Sequence, residues 1–109
     1  MATVVRGNEN GDEAVHALKA ALDGYEQAHP GAVATLYRYN PASIRIRVLD
    51  RRFLGMSKSR RHAQMWEFLA ERVPEDVMAE VSVILTLAPE EQATSMMNLE
   101  FEEPSRSEL

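Results

Sequence analysis

The residues of this chain best suited to chemistry are arginines. Arg45, Arg47, Arg51, Arg52, Lys58, Arg60 and Arg61 fall within residues 38–62, with Arg38 opening the stretch and His62 closing it. A guanidinium presents a rigid fork of donors matched to carboxylate and phosphate oxygens, and an ammonium adds a point charge. The chemistry on offer is recognition of anions. Eight of the chain's twelve Lys and Arg lie between Arg38 and Arg61 against one acid, Asp50, so this window carries +7. The whole chain carries −5, which leaves −12 for the remainder. Charge segregated in this way makes a local positive field that can attract an acidic protein or a nucleic acid despite the negative total.

Other chemistries find no support. The absence of Cys excludes disulfides, thiolate metal sites and thiol nucleophiles. His16, His29 and His62 match no metal-ligand or catalytic spacing. There is no Gly-x-Ser-x-Gly, no phosphate loop and no nucleophile set beside a base, so the expectation is a non-enzymatic protein without cofactor or metal. At 109 residues and 45% hydrophobic, the chain has the size of one domain with a real core. No apolar run approaches the roughly 18 residues of a membrane span. The first ten residues lack the apolar stretch of a signal peptide, and the expected location is cytoplasmic.

The elements that must position the basic residues follow from periodicity and turn chemistry. Residues 1–11 are expected to form a flexible arm. Asp12-Glu13 precede Val15, Leu18, Leu22 and Tyr25 at helical spacing, and His29-Pro30-Gly31 ends that helix. Val33 to Tyr39 is a strand, Asn40-Pro41-Ala42-Ser43 a type I turn. Ile44, Ile46 and Val48 alternate with Arg45 and Arg47, the mark of a strand with one buried and one wet face. An even turn at Pro41-Ala42 sets Arg38 opposite Arg45 and turns Tyr37 and Tyr39 toward the isoleucines. An odd loop would set both tyrosines beside the arginines, the arrangement that single-stranded nucleic acid readers use. The turn chemistry favours the even register.

Phe53 is expected as a plug beneath a turn and Gly55 as a position that needs glycine's freedom. Ser57 caps a second helix running to about Arg72, with His62, Met65, Trp66, Leu69 and Val73 as its apolar stripe. His62 has two readings: a proton-linked or nucleic-acid contact, or a packing residue against the Phe53 turn. The stripe favours packing, and Trp66 is expected in the core. After a turn at Pro74 to Val77, a third strand covers Glu80 to Leu87, with Val81, Val83, Leu85 and Leu87 on one face. About 30 residues and a helix between the second and third strands suit a right-handed crossover joining parallel strands. Pro89-Glu90-Glu91 opens a short helix, and residues 94–109 form an acidic tail with apolar anchors at Leu99 and Phe101. The expected class is α+β, in the order α-β-β-α-β-α, with a three-stranded mixed sheet and helices on one face.

The run from Ile46 through Arg52-Phe53-Leu54-Gly55 to Ser57, followed by Arg61-His62, resembles the BolA family signature. There an apolar strand leads into an Arg-Phe-x-Gly turn and a helix opens with Arg-His. Leu87-Ala88-Pro89-Glu90-Glu91 resembles the family's Thr-Pro-Glu-Glu. The likeness covers residues 12–93. It implies a fold like the class II KH domain, though without the Gly-x-x-Gly loop that clamps nucleic acid, since Gly24, Gly31 and Gly55 are isolated. It also implies a regulatory protein that partners monothiol glutaredoxins and shares an iron–sulfur cluster with them. The family's ligands are a His just before the third strand and a Cys or His between the first two strands. Glu80 and Asn40-Pro41-Ala42-Ser43 stand at those places, whereas cluster iron takes thiolate or imidazole.

The first functional expectation is an interaction or regulatory domain that docks an acidic partner through residues 38–61. The second is nucleic-acid binding through the same surface, with steep salt dependence. The third is self-association, with the acidic tail covering the basic patch in its own or a neighbouring subunit.

Overall fold

A computed structural model describes residues 1–5 and 11–103. The elements in chain order are β1 (Thr3–Val4), α1 (Glu13–Ala28), β2 (Val33–Asn40), β3 (Ser43–Leu49), α2 (Lys58–Ala70), α3 (Glu75–Met78), β4 (Val81–Leu87) and α4 (Asn98–Glu102). Short 3-10 turns occupy Arg51–Phe53 and Pro89–Thr94. The strands form one mixed sheet in the order β1-β2-β3-β4, parallel at both outer pairs and antiparallel between β2 and β3. The fold is α+β, and among the described residues no helix is long and apolar enough to cross a membrane.

The sheet has four strands where the pattern predicts three. Thr3 and Val4 pair with Thr35 and Leu36 at the free side of β2. Ala2 is buried, its N–H donates to Asp23 Oδ1 at 2.6 Å, and the terminal ammonium of Met1 meets Glu26 at 2.7 Å. A two-residue strand has too little periodicity to be legible; its partners on α1 and β2 define it. Positions 6–10 of the expected arm and 104–109 of the expected tail lie outside the described residues.

Local chemistry sets the element boundaries. Asp12 Oδ1 accepts from the Val15 N–H at 3.1 Å and caps α1. Ser57 Oγ accepts from the Arg60 N–H at 3.2 Å and caps α2. Gly31 and Gly55 sit at φ +93° and +86°, a region where a Cβ is costly. Leu18 and Leu22 of α1 and Met65 and Leu69 of α2 bury against Leu36 and Ile46, forming the core on one side of the sheet.

The register of the hairpin departs from expectation in an instructive way. The turn is even, since Asn40 pairs with Ser43. A bulge between Arg38 and Asn40 then shifts the ladder, pairing Arg38 with Ile44 and Tyr37 with Arg45. A one-residue slip exchanges the two faces of a strand. Tyr37 therefore joins the arginine face, and Arg38 leaves it for the helix side.

That second face is covered too. Thr35 pairs with Arg47, while Arg45, Arg47 and Leu49 stand beside Val83, Leu85 and Leu87. Paired residues on adjacent strands project the same way, so these apolar residues of β4 lie with the arginines. Ile84 and Thr86 take the core side, and an irregularity at the Ile44–Arg45 step puts Val81 out of phase, opposite Ile44. Phe101 of α4 packs edge-on against Tyr37, ring centres 5.3 Å apart. Helices thus flank both faces, not one, because Tyr37 of β2 and Arg47 of β3 give α4 an aromatic and a polar contact on the second face.

Candidate functional site

The predicted basic surface is divided by the fold into internal ion pairs and a small free remainder. Arg38, on the helix side, donates from Nε and Nη2 to Asp12 at 2.9 and 2.8 Å and from Nη1 to Glu80 at 2.6 Å. The Arg38 hydrogen bond holds the Asp12 carboxyl below its usual pKa against the opposing effect of burial. Asp12 in turn pushes the Arg38 guanidinium up. This cluster ties the start of α1 to the end of β2 and the approach to β4.

Glu80, the position where the resemblance would place a cluster ligand, is thereby committed to a guanidinium. Asn40 Oδ1 likewise accepts from the Ala42 N–H at 2.9 Å. Among the described residues no three His, Asp or Glu side chains are placed to hold a metal ion. Carboxylate, amide and hydroxyl groups are the wrong donors for cluster iron, and these residues do not fit an iron–sulfur group.

Arg45 and Arg47 lie under or beside α4. Arg47 is only 6% exposed; it donates to Asn98 Oδ1 at 2.7 Å, Thr35 Oγ1 at 3.1 Å and Glu102 at 3.4 Å. The Arg45 guanidinium carbon sits 3.7 Å from the centre of the Tyr39 ring, a cation–π stack, and Nη1 donates to the Tyr37 hydroxyl at 3.0 Å. The bulge therefore builds the aromatic–cation arrangement that the even turn argued against. Tyr37 is fully buried beneath Phe101, and Arg45 occupies one face of the half-buried Tyr39.

Arg52 belongs to a third cluster. Asp50 Oδ1 accepts from the Arg52 N–H at 3.0 Å and caps the 3-10 turn. The Tyr25 hydroxyl donates to Asp50 Oδ2 at 2.5 Å and accepts from Arg52 Nη2 at 3.2 Å. Burial and the Asp50 carboxylate push Tyr25 up to about 12. Burial also opposes ionisation of Asp50, but the Tyr25 hydroxyl and the Arg52 amide and guanidinium together hold its carboxyl below the usual value.

Arg61 is internal, at 4% exposure. It makes a bidentate pair with Glu91 at 2.7 and 3.0 Å and donates to the carbonyls of Met56 and Thr86, both at 3.1 Å. The Arg61 hydrogen bond, helped by the Ala88 N–H and the field of Lys58, takes Glu91 down to about 2. Arg61 displaces His62 from the expected stripe. The buried positions of α2 are Arg61, Met65 and Leu69, because a guanidinium whose donors are satisfied can lay its stem in a core. His62 and Trp66 are correspondingly exposed, their rings stacked at 6.1 Å and 17°, not packed against Phe53. Phe53 itself is the expected plug, buried beneath the turn.

Three cations are left, and Arg51 lines a groove with Ala28, His29 and Pro30 that is separate from the one beside Lys58. Arg51, Lys58 and Arg60 are exposed and make no ion pair among the described residues. Lys58 and His62 form one wall of a groove of about 610 Å³, with β4 residues at its floor and Ser95 and Met96 opposite. The residues that sequence reasoning missed are the partners Asp12, Glu80, Glu91 and Asn98; Glu102 lies in the acidic tail expected over the basic patch and meets Arg47. Asp12 and Glu91 carried a signal only as helix-start acids, and Phe101 only as a tail anchor. No protein-family model matches this chain, nor does any curated protein or solved structure, and the functional reading rests on the site's own geometry.

Proposed function

We propose that this chain is a small, non-enzymatic, BolA-like interaction domain that docks an acidic protein partner where the 3-10 turn meets α2. One observation carries the reading. Arg51, Lys58 and Arg60 stand exposed without an ion pair among the described residues, while Arg38, Arg47, Arg52 and Arg61 are engaged by the protein's own carboxylates. A basic helix start opposes the helix dipole, so helix stability gives no reason for these cations. The α-β-β-α-β order, the Phe53 plug and the positive φ of Gly55 support the BolA-like part. The resemblance names a monothiol glutaredoxin as one partner of this class, held as a protein and not through a shared cluster.

A nucleic-acid ligand would meet the same cations, but the tyrosines beside Arg45 are engaged, Tyr37 by Phe101 and Tyr39 by Arg45, and the exposed rings near the cations are His62 and Trp66 of α2. The test compares poly-glutamate with a single-stranded oligonucleotide by calorimetry across a salt series. Poly-glutamate binding that vanishes in the Arg51→Glu, Lys58→Glu, Arg60→Glu triple variant, with unchanged circular dichroism, is the expected result. Oligonucleotide binding with a steep salt slope, and no response to poly-glutamate, would replace this reading with the nucleic-acid one.

A further inference from the structure

We infer that the outer edge of β4 is a strand-addition site at which an extended acidic peptide segment of a partner joins the sheet as its fifth strand. The inference rests on the acidic-partner reading and specifies how such a partner is held.

β4 is the terminal strand of the sheet. The Leu87 carbonyl accepts from the Asp50 N–H at 3.0 Å on the inner side, so strand alternation turns the backbone groups of Ile84 and Thr86 outward. One of these outward groups, the Thr86 carbonyl, is taken by Arg61. Natural edges are normally blunted by a charge, a proline, a bulge or shortness. From Val81 to Leu87 there is neither charge nor proline, and the ladder irregularity sits at the start of the strand. The portion beyond it, Ile84 to Leu87, keeps regular register with β3 and floors the groove. At the opposite edge of the sheet, the two residues of β1 cover β2; among the described residues no strand covers β4, whose outer edge carries only the Arg61 guanidinium, on the Thr86 carbonyl.

The groove walls choose the occupant. Glu91 faces the groove, bound to Arg61 by two hydrogen bonds and within the field of Lys58, so these three groups leave one net positive charge beside His62. Met96, 82% exposed, offers an apolar contact on the other side. A strand alternating acidic and apolar residues suits this combination, with backbone pairing for affinity and alternate side chains for specificity. A second copy of β4 would instead bring a second Lys58 into the same groove.

The probe is a short peptide alternating Val and Glu. Trp66, the chain's single tryptophan, reports from beside His62, and amide hydrogen exchange reports on the edge. Binding should protect the Ile84 and Thr86 amides, and N-methylating the alternate peptide residues that face β4 should weaken it about tenfold or more. A Val–Lys counterpart should not bind. If the N-methylated peptide binds equally well and Lys58→Glu with Arg60→Glu abolishes binding, acidic docking stands and strand addition is overturned. Poly-glutamate binding without edge protection by the alternating peptide would likewise overturn strand addition and leave acidic docking standing. If no acidic polymer binds, both readings fall. Protection of the same amides by concentration-dependent dimerisation, without peptide, would assign the edge to a second copy and overturn the stated occupant.

Discussion

The two faces of the sheet are closed by different physics. On the helix side, Leu18, Leu22, Leu36, Ile44, Ile46 and Leu69 are wholly withdrawn from water, and burial of apolar area stabilises the contact without directional demands. On the other side a five-residue helix meets Thr35, Tyr37 and Arg47. There the attachment is one aromatic contact, a cation–π contact of Arg47 with Phe101, the Arg47–Glu102 ion pair and hydrogen bonds, each worth a modest net amount. Nε of both Arg45 and Arg47 is buried without a partner among the described residues, which lowers the gain further. The helix side is the fold; the α4 side is a cover that can open at lower free energy.

The largest test of this difference is Ile46→Ala, which should cost about 2–5 kcal/mol as a core truncation and shift the whole urea transition. Phe101→Ala should cost less, about 1–2 kcal/mol, because α4 can detach instead of holding a cavity, whereas a core Phe→Ala costs about 3–5. Truncation after residue 97 should preserve a single cooperative transition while deprotecting Tyr37. Failure of the truncated chain to fold would break the comparison. Gly55→Ala, which forces a side chain onto φ +86°, should cost about 1 kcal/mol by the same denaturation measurement.

The pH dependence sharpens the picture at both ends. The unfolded Glu91 carboxyl titrates near 4.5, the folded one near 2. Its pairing with Arg61 therefore stabilises fully above 4.5 and is lost as pH falls toward 2. A third of the Glu91 side chain meets solvent, so screening keeps this slope shallow. Tm measured against pH should lose part of its acid slope in Glu91→Gln. Tyr25 runs the other way: raised from 10 to about 12, it stabilises below 10 and ceases to as pH rises through 12, visible as late phenolate absorbance that Tyr25→Phe removes. The smallest effect belongs to Arg60→Ala, within about 0.5 kcal/mol in stability. Its consequence should appear only in acidic-ligand binding.

Legibility divides along the same physical line. Helix caps at Asp12 and Ser57, the even turn at Asn40 to Ser43, the Ile44–Ile46–Val48 alternation and the glycine turn at Gly55 are all readable. Each is decided by atoms within a few residues of one another. The bulge at Tyr39 is not, although the turn beside it is, since a bulge answers to how the whole strand must sit against both layers. Periodicity alone misplaces the stripe of α2 by one residue, because Arg61 looks like surface until Glu91 is brought to it.

By itself, then, the sequence determined the α-β-β-α-β order of the larger elements, the caps at Asp12 and Ser57, and the concentration of positive charge in one window. Only tertiary structure decided what that charge does. Arg38 finds Asp12 and Glu80 across 26 and 42 residues, Arg61 finds Glu91 across 30, and Arg47 finds Asn98 across 51. Local propensity is blind at such separations. Coulomb attraction and desolvation are settled by distance in space, and the fold that sets those distances leaves Arg51, Lys58 and Arg60 exposed, with no ion pair among the described residues.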